Sequence, residues 1–262
     1  MPSFLIAALA LSSLGSSGHW GQDSPEEIFK KLESTYSGAK NFAMAVAVTA
    51  ESKRGEQSST NKLEGEYLLK EGRKVRLGLW GKLDGEDSII NLASNGKFMA
   101  VALTGMKQVQ QKETPENLNT DMAAAVVRTG LFGALYLSMG IAKGSGRDGK
   151  PADLRVMFPA KNFATGDAEK VEIRTGAKLD AKKTLECKTL TFQIDVEEQK
   201  RVMEVKVWYD FERMLVIKRV LTTDMKDDKG KLVKNIVTEL YENAELMTKE
   251  IPDTEFKLPG EK

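Results

Sequence analysis

The chain has 262 residues, 41% of them apolar and 29% charged, which suits one large domain or two small ones and excludes a disordered polymer. The formal net charge of +1 gives no electrostatic reason to expect nucleic acid or a strongly anionic surface as partner.

The first residues read as a leader. Phe4 to Leu11 is an apolar run, followed by Ser12, Ser13, Gly15, Ser16, Ser17 and Gly18, with no charged side chain before Asp23. We expect residues 1–22 to be a signal peptide with a weak positive end, too short to span a bilayer, and residues 23–262 to form a single domain. Cys187 is the single cysteine, so an intramolecular disulfide is excluded and no cysteine follows the leader to take a lipid anchor. The expectation is a soluble exported protein, periplasmic or secreted, with no retained transmembrane helix.

Ser24-Pro25-Glu26-Glu27 has the form of a capping box with proline in the first turn. Ile28, Phe29, Leu32 and Tyr36 follow at helical spacing, and Ser37-Gly38 ends the helix. Phe42 to Ala50 reads as a strand covered on both faces. Leu63, Gly65, Tyr67 and Leu69 alternate with Glu64, Glu66 and Lys70, and the chain turns at Gly72-Arg73. Val75, Leu77 and Leu79 alternate on the return. Ser88 to Ser94 is a further strand, and Asn95-Gly96 predicts a type I′ hairpin back through Leu103.

The middle changes character. Met122 to Ala142 is helical in composition, but Arg128 and the glycines at 130, 133 and 140 argue against a membrane span. One or two buried helices covering the sheet are expected, within an inserted lid of about residues 116–143. Residues 144–149 read as a flexible loop. Short alternating strands then resume. Leu190, Phe192, Ile194 and Val196 share one face, as do Met203, Val205, Val207, Tyr209 and Phe211. Asp227 to Gly230 is a polar hairpin tip, and Ile251 to Pro259 an extended tail.

The catalytic inventory is thin. His19 is the single histidine and lies in or beside the leader, so triads and imidazole zinc sites have no base or ligand. Cys187 sits in strand context and reads as a buried structural thiol. No cofactor, metal site or catalytic residue is expected. Carboxylates are plentiful enough that a carboxylate-based enzyme stays on the list behind two binding roles.

Four stretches together resemble the LolA/LolB-like periplasmic lipoprotein-carrier superfamily. They are the opening helix with Ile28, Phe29, Leu32 and Tyr36; Leu63 to Lys70 with Val75-Arg76-Leu77; Ser88 to Phe98 around Asn95-Gly96-Lys97; and Tyr241-Glu242-Asn243 followed by Ile251-Pro252-Asp253 and Phe256 to Pro259. Where the family's carriers have Arg-Pro, this corner reads Glu71-Gly72-Arg73, so their latch arginine is not carried over. The resemblance implies an α+β, mostly β fold: an unclosed antiparallel half-barrel with an N-terminal helix and helices plugging its concave face. It implies a carrier that holds lipid or lipoprotein acyl chains in an apolar cavity, with a membrane-protein donor or acceptor as a candidate partner. The apolar lining is expected from Val75, Leu77, Leu79, Trp80, Phe132, Tyr136, Met139, Phe192, Val205, Val207 and Tyr209. An envelope sensor or regulatory module of the same fold, binding a protein partner, is the alternative.

Overall fold

In a computed structural model the described residues are 23–104, 109–135, 154–176, 178–196, 201–226, 230–247 and 249–259. The expected signal peptide, His19 and the 144–149 loop lie outside them. Eleven strands form one antiparallel sheet: β1 (Asn41–Arg54), β2 (Gln57–Lys70), β3 (Lys74–Leu83), β4 (Glu86–Asn95), β5 (Phe98–Leu103), β6 (Gln110–Glu113), β7 (Ala160–Thr175), β8 (Ala181–Val196), β9 (Arg201–Asp210), β10 (Leu215–Lys226) and β11 (Leu232–Leu246). Their order in space is β6-β5-β4-β3-β2-β1-β11-β10-β9-β8-β7. The chain thus makes two meanders, and β1 joins β11 to fuse them edge to edge. The sheet stays open, as the half-barrel expectation requires.

Two helices cover the inner face. Helix α1 (Pro25–Ser37) opens with the predicted capping box: Ser24 N–H donates to Glu27 Oε2 at 2.7 Å, and Glu27 N–H donates to Ser24 Oγ at 3.2 Å. Phe29, Leu32 and Tyr36 are its buried face. Helix α2 (Leu118–Val127) buries Met122 to Val127 without interruption, so it is surrounded by protein on every side. Residues 136–142 of the expected 122–142 segment lie outside the described residues, and within its described part the segment is broken in two. It stops at Val127, turns through Gly130 at φ +82°, and becomes helical again over 131–135. A glycine tolerates that left-handed angle without a steric penalty. No helix among the described residues is long and apolar enough to cross a membrane.

Bulges bend the strands. One lies in β10 between Val216 and Lys218, and two lie in β7. Beside the β10 bulge, the Val216 N–H donates to the buried Tyr36 hydroxyl at 2.8 Å, which ties α1 to the sheet. The far ends of β7 and β8 run past β9 and fold across the outer face. There Val171, Ile173 and Cys187 make a second small core with Trp208 and Ile217. Arg174 fastens the fold-over by donating to Glu242 at 2.8 Å and Glu64 at 2.9 Å.

Several local expectations are corrected. Asn95-Gly96 is not a type I′ turn: Gly96 alone has positive φ there, at +93°. Asn95 stays paired with Lys74 of β3, and its side chain accepts from Lys97 and Phe98 N–H at 3.0 and 2.9 Å. Consecutive left-handed residues occur instead at Gly72-Arg73 and at Asp84-Gly85, the latter forming the two-residue turn between Leu83 and Glu86. Phe211 leaves the inner row, because the turn after Asp210 carries it out to 56% exposure under Lys188. The tail is not simply extended. Its 3₁₀ turn, Asp253–Phe256, lies on the outer face of β3 and β4. Lys70 donates to Glu250 and Asp253, Lys74 to Asp253, and Arg76 to Glu255, while Ile251, Phe256 and Leu258 are buried beneath.

Candidate functional site: the inner face of the sheet

The strand period of two decides what faces inward. On β3 it sends Val75, Leu77 and Leu79 in, and on β9 it sends Val205, Val207 and Tyr209 in. Phe192 joins from β8 and Phe132 from the 131–135 turn, and all eight belong to one contiguous apolar cluster with α1 and α2. Trp80 does not. It is 48% exposed on the outer face, because residues 79 and 80 of one strand point to opposite sides. Tyr136 and Met139 fall outside the described residues. Four methionines, Met44, Met99, Met122 and Met203, lie in the same cluster, where their unbranched thioethers fill irregular space.

Composition and periodicity did not reveal the polar centre of this wall. Arg219 of β10 and Glu239 of β11 stand directly opposite each other on the inner face, and both are fully buried. They hold the two sides of the helix break. Arg219 Nε donates to the carbonyl oxygens of Val127 at 3.4 Å and Arg128 at 3.1 Å, and its Nη2 donates to Arg128 again. Glu239 accepts from the N–H groups of Leu131 and Phe132, both at 2.9 Å, and from the Tyr241 hydroxyl. The cation thus meets the carbonyl end of α2, and the anion meets the amide end of the following turn, each matched to the local helix dipole. Gly130 sits between them. A Cβ there would lie 2.4 Å from Glu239 Oε1 and 2.7 Å from Arg219 Nη1.

Burial sets the titration of these groups. It pulls the Arg219 guanidinium down, against the opposing pull of Glu239. It pushes the Tyr241 phenol well up, and the Glu239 carboxylate adds to that. Burial likewise raises Tyr36 and Tyr67. A sequence signal for the pair did exist. Arg219 shares parity with Leu221 on β10, and Glu239 with Tyr241 on β11, so charged residues occupy inward positions beside apolar ones.

A second clasp holds α1 to α2. Arg128 donates to Glu33 at 2.5 and 3.0 Å and to the Phe158 carbonyl at 2.9 Å, and its guanidinium lies 5.0 Å from the Phe29 ring centroid. The outer face carries a groove of about 420 Å³ bordered by Thr191, Gln193, Glu204, Lys206, Trp208 and Thr222. Among the described residues no three His, Cys, Asp or Glu side chains are grouped to hold a metal ion. Cys187 is buried, and burial pushes its thiol up to about 11, away from nucleophilic use.

No protein-family model matches the chain, and no curated protein matches it. Among solved structures it is similar to LprF from Mycobacterium bovis, at 13% identity and a TM-score of 0.41, over 88% of this chain and 98% of that one. It is similar to a DUF1329 family protein from Desulfovibrio piger, at 10% identity and a TM-score of 0.31, over 90% of this chain and 98% of that one. It is similar also to a putative outer membrane lipoprotein-sorting protein domain from Vibrio parahaemolyticus, at 10% identity and 0.31, over 89% and 97%. At such identities and scores these likenesses carry no argument, and the functional reading rests on the geometry of this chain.

Proposed function

We propose that this protein is an exported, soluble carrier that holds lipid or lipoprotein acyl chains between the sheet and its covering helices, without catalysing a reaction. The observation that carries the reading is the inner wall itself: a single apolar face contributed by both meanders, with four methionines and a helix pair laid over it. Val75, Leu77, Leu79, Phe192, Val205, Val207 and Tyr209 supply wall, and Phe132 belongs to the cover. Tyr136 and Met139 are proposed to extend that cover.

In the closed arrangement the wall residues are already buried, so a chain enters by displacing helix from sheet. Each buried methylene contributes roughly 0.8 kcal/mol, so an acyl chain of about sixteen carbons gains on the order of 10 kcal/mol gross. Re-exposing part of α2 and the 131–135 turn, and ordering the chain, offset much of that gain. The difference allows binding that is firm yet reversible, as a donor-to-acceptor carrier needs. The break at 128–130, held by side chains on both sides, is where the cover would hinge.

The reading is tested by trapping the helix on the sheet. A disulfide between cysteines placed on α2 and β10 should abolish uptake of a fluorescent acyl-chain probe, and reduction should restore it. Equal uptake in the oxidised and reduced forms would end the proposal that the inner face is the binding surface.

A further inference from the structure

The outer face carries a recess that acyl binding on the inner face leaves unused. Thr191 and Gln193 of β8, Glu204 and Lys206 of β9 and Thr222 of β10 border this groove of about 420 Å³. Strand register sets their positions. Glu204 lies directly opposite Gln193 on one side and Thr222 on the other, and Lys206 lies opposite Thr191 and Val220. Directly opposed side chains in an antiparallel pair stand about 5 Å apart, so these polar groups form one compact array.

Side-chain networks fix both ends of the groove. At one end a bulge in β7, between Lys161 and Ala164, holds Asn162 at a left-handed φ of +56°, which asparagine tolerates. Asn162 Nδ2 donates to Gln193 Oε1 at 2.7 Å, and the Gln193 amide keeps its own N–H donors. At the other end Glu169 accepts from Lys206 at 2.6 Å and from Trp208 Nε1 at 2.7 Å. Lys206 and Lys218 lie over the Trp208 ring, at 4.7 and 4.6 Å from its centroid.

These features decide what the groove takes. Strands β8, β9 and β10 are interior to the sheet, so the groove offers side chains and no backbone edge for an added peptide strand. Lys206 is already paired with Glu169, and Glu204 repels an incoming anion. A metal ion lacks ligands, since no three His, Cys, Asp or Glu side chains are grouped among the described residues. The array suits a neutral ligand that both donates and accepts. Glu204 offers two adjacent carboxylate oxygens to a pair of neighbouring hydroxyls, with Gln193 and Thr222 on either side, while Val220 and Trp208 supply apolar surface for ring carbons. The volume lies low in the range of ligand pockets, about 300–1,000 Å³, which suits a mono- or disaccharide.

We infer that the outer groove is a second binding site, for a neutral sugar with adjacent free hydroxyls, which Glu204 accepts from and Gln193 and Thr222 flank. It is separate from the inner face, because successive residues of a strand point to opposite sides of the sheet. It therefore stands whether or not acyl chains bind within.

The test is a ligand-observed NMR titration of the full chain with methyl glucoside, methyl galactoside, methyl mannoside and N-acetylglucosamine, one at a time. At least one should bind with a Kd of about 1 mM, the scale of a few hydrogen bonds in an open groove. Glu204→Gln removes the charged acceptor at an exposed position and should weaken that sugar about tenfold. Trp80→Ala, elsewhere on the outer face, should leave the affinity unchanged, as should the disulfide that traps α2 on β10. Failure of all four sugars to bind would overturn the inference, and so would undiminished binding in Glu204→Gln. Loss of binding in Trp80→Ala or in the trapped form would place the sugar elsewhere and overturn it equally. None of these outcomes touches the carrier reading, which the acyl-probe experiment decides.

Discussion

At the scale of single residues, neighbours in sequence have opposite fates. Leu79 is buried in the inner wall and Trp80 is half exposed on the other side. Leu79→Ala should cost about 2 to 5 kcal/mol through lost packing and a residual cavity, whereas Trp80→Ala should change stability by only about 0.5 kcal/mol. Urea titration of the two variants reads the difference, and equal losses would place both side chains in the core. Arg219→Met alone strands Glu239 in a dehydrated site and should cost about 3 to 5 kcal/mol, while the change paired with Glu239→Gln should cost less. A double variant as unstable as the sum of the two singles would mean that the two groups do not act together. Residue identity also hid the most from sequence reading. A lone Arg and a lone Glu share parity with buried apolar residues, but nothing in the sequence pairs them until the β10–β11 register sets them opposite each other.

At the scale of elements, the strands were the most legible part, because alternation follows directly from the pleat. The α1 cap was equally plain, since Ser24 and Glu27 satisfy each other locally. The failures share one cause, competition from long-range contacts. Asn95-Gly96 carries a hairpin signal, yet Asn95 remains in the ladder with β3. The tail reads as loose chain, yet Lys70, Lys74 and Arg76 hold it against the outer face. That strap has a pH signature. Lys70 and Lys74 lower the Asp253 carboxyl to about 2, below its ordinary range near about 3.9. A carboxyl whose value is depressed in the folded state adds its stability above the unfolded value and loses it as pH falls through the folded one. Hydrogen exchange over residues 250–258 should therefore be steady from neutral pH to about 5 and rise between about 4 and 2. Loss of protection already near neutral pH would show that the ion pairs do not hold the strap. Gly130→Ala tests the elbow. Its φ of +82° and the close approach to Glu239 should make this variant unstable by about 2 kcal/mol or more in thermal unfolding. No loss would mean that the elbow can rearrange freely.

At the scale of the molecule, two runs of alternating strands in the sequence correspond to two meanders in the sheet, and the β1–β11 junction makes one wall of them. That much was legible because each meander is built of local hairpins. The junction was not, since it pairs the first strand with the last. The proposed site was legible as a set of apolar inward rows, but its polar centre and the elbow it grips were not, because they exist only once helix and sheet are docked. The most direct measurement is native mass spectrometry of the full chain purified from the envelope of its own cells. The account predicts a population carrying the added mass of an acyl lipid, which organic extraction removes and added acyl lipid restores. Protein that arrives bare in every preparation, and that takes up no acyl lipid when one is offered, would contradict it.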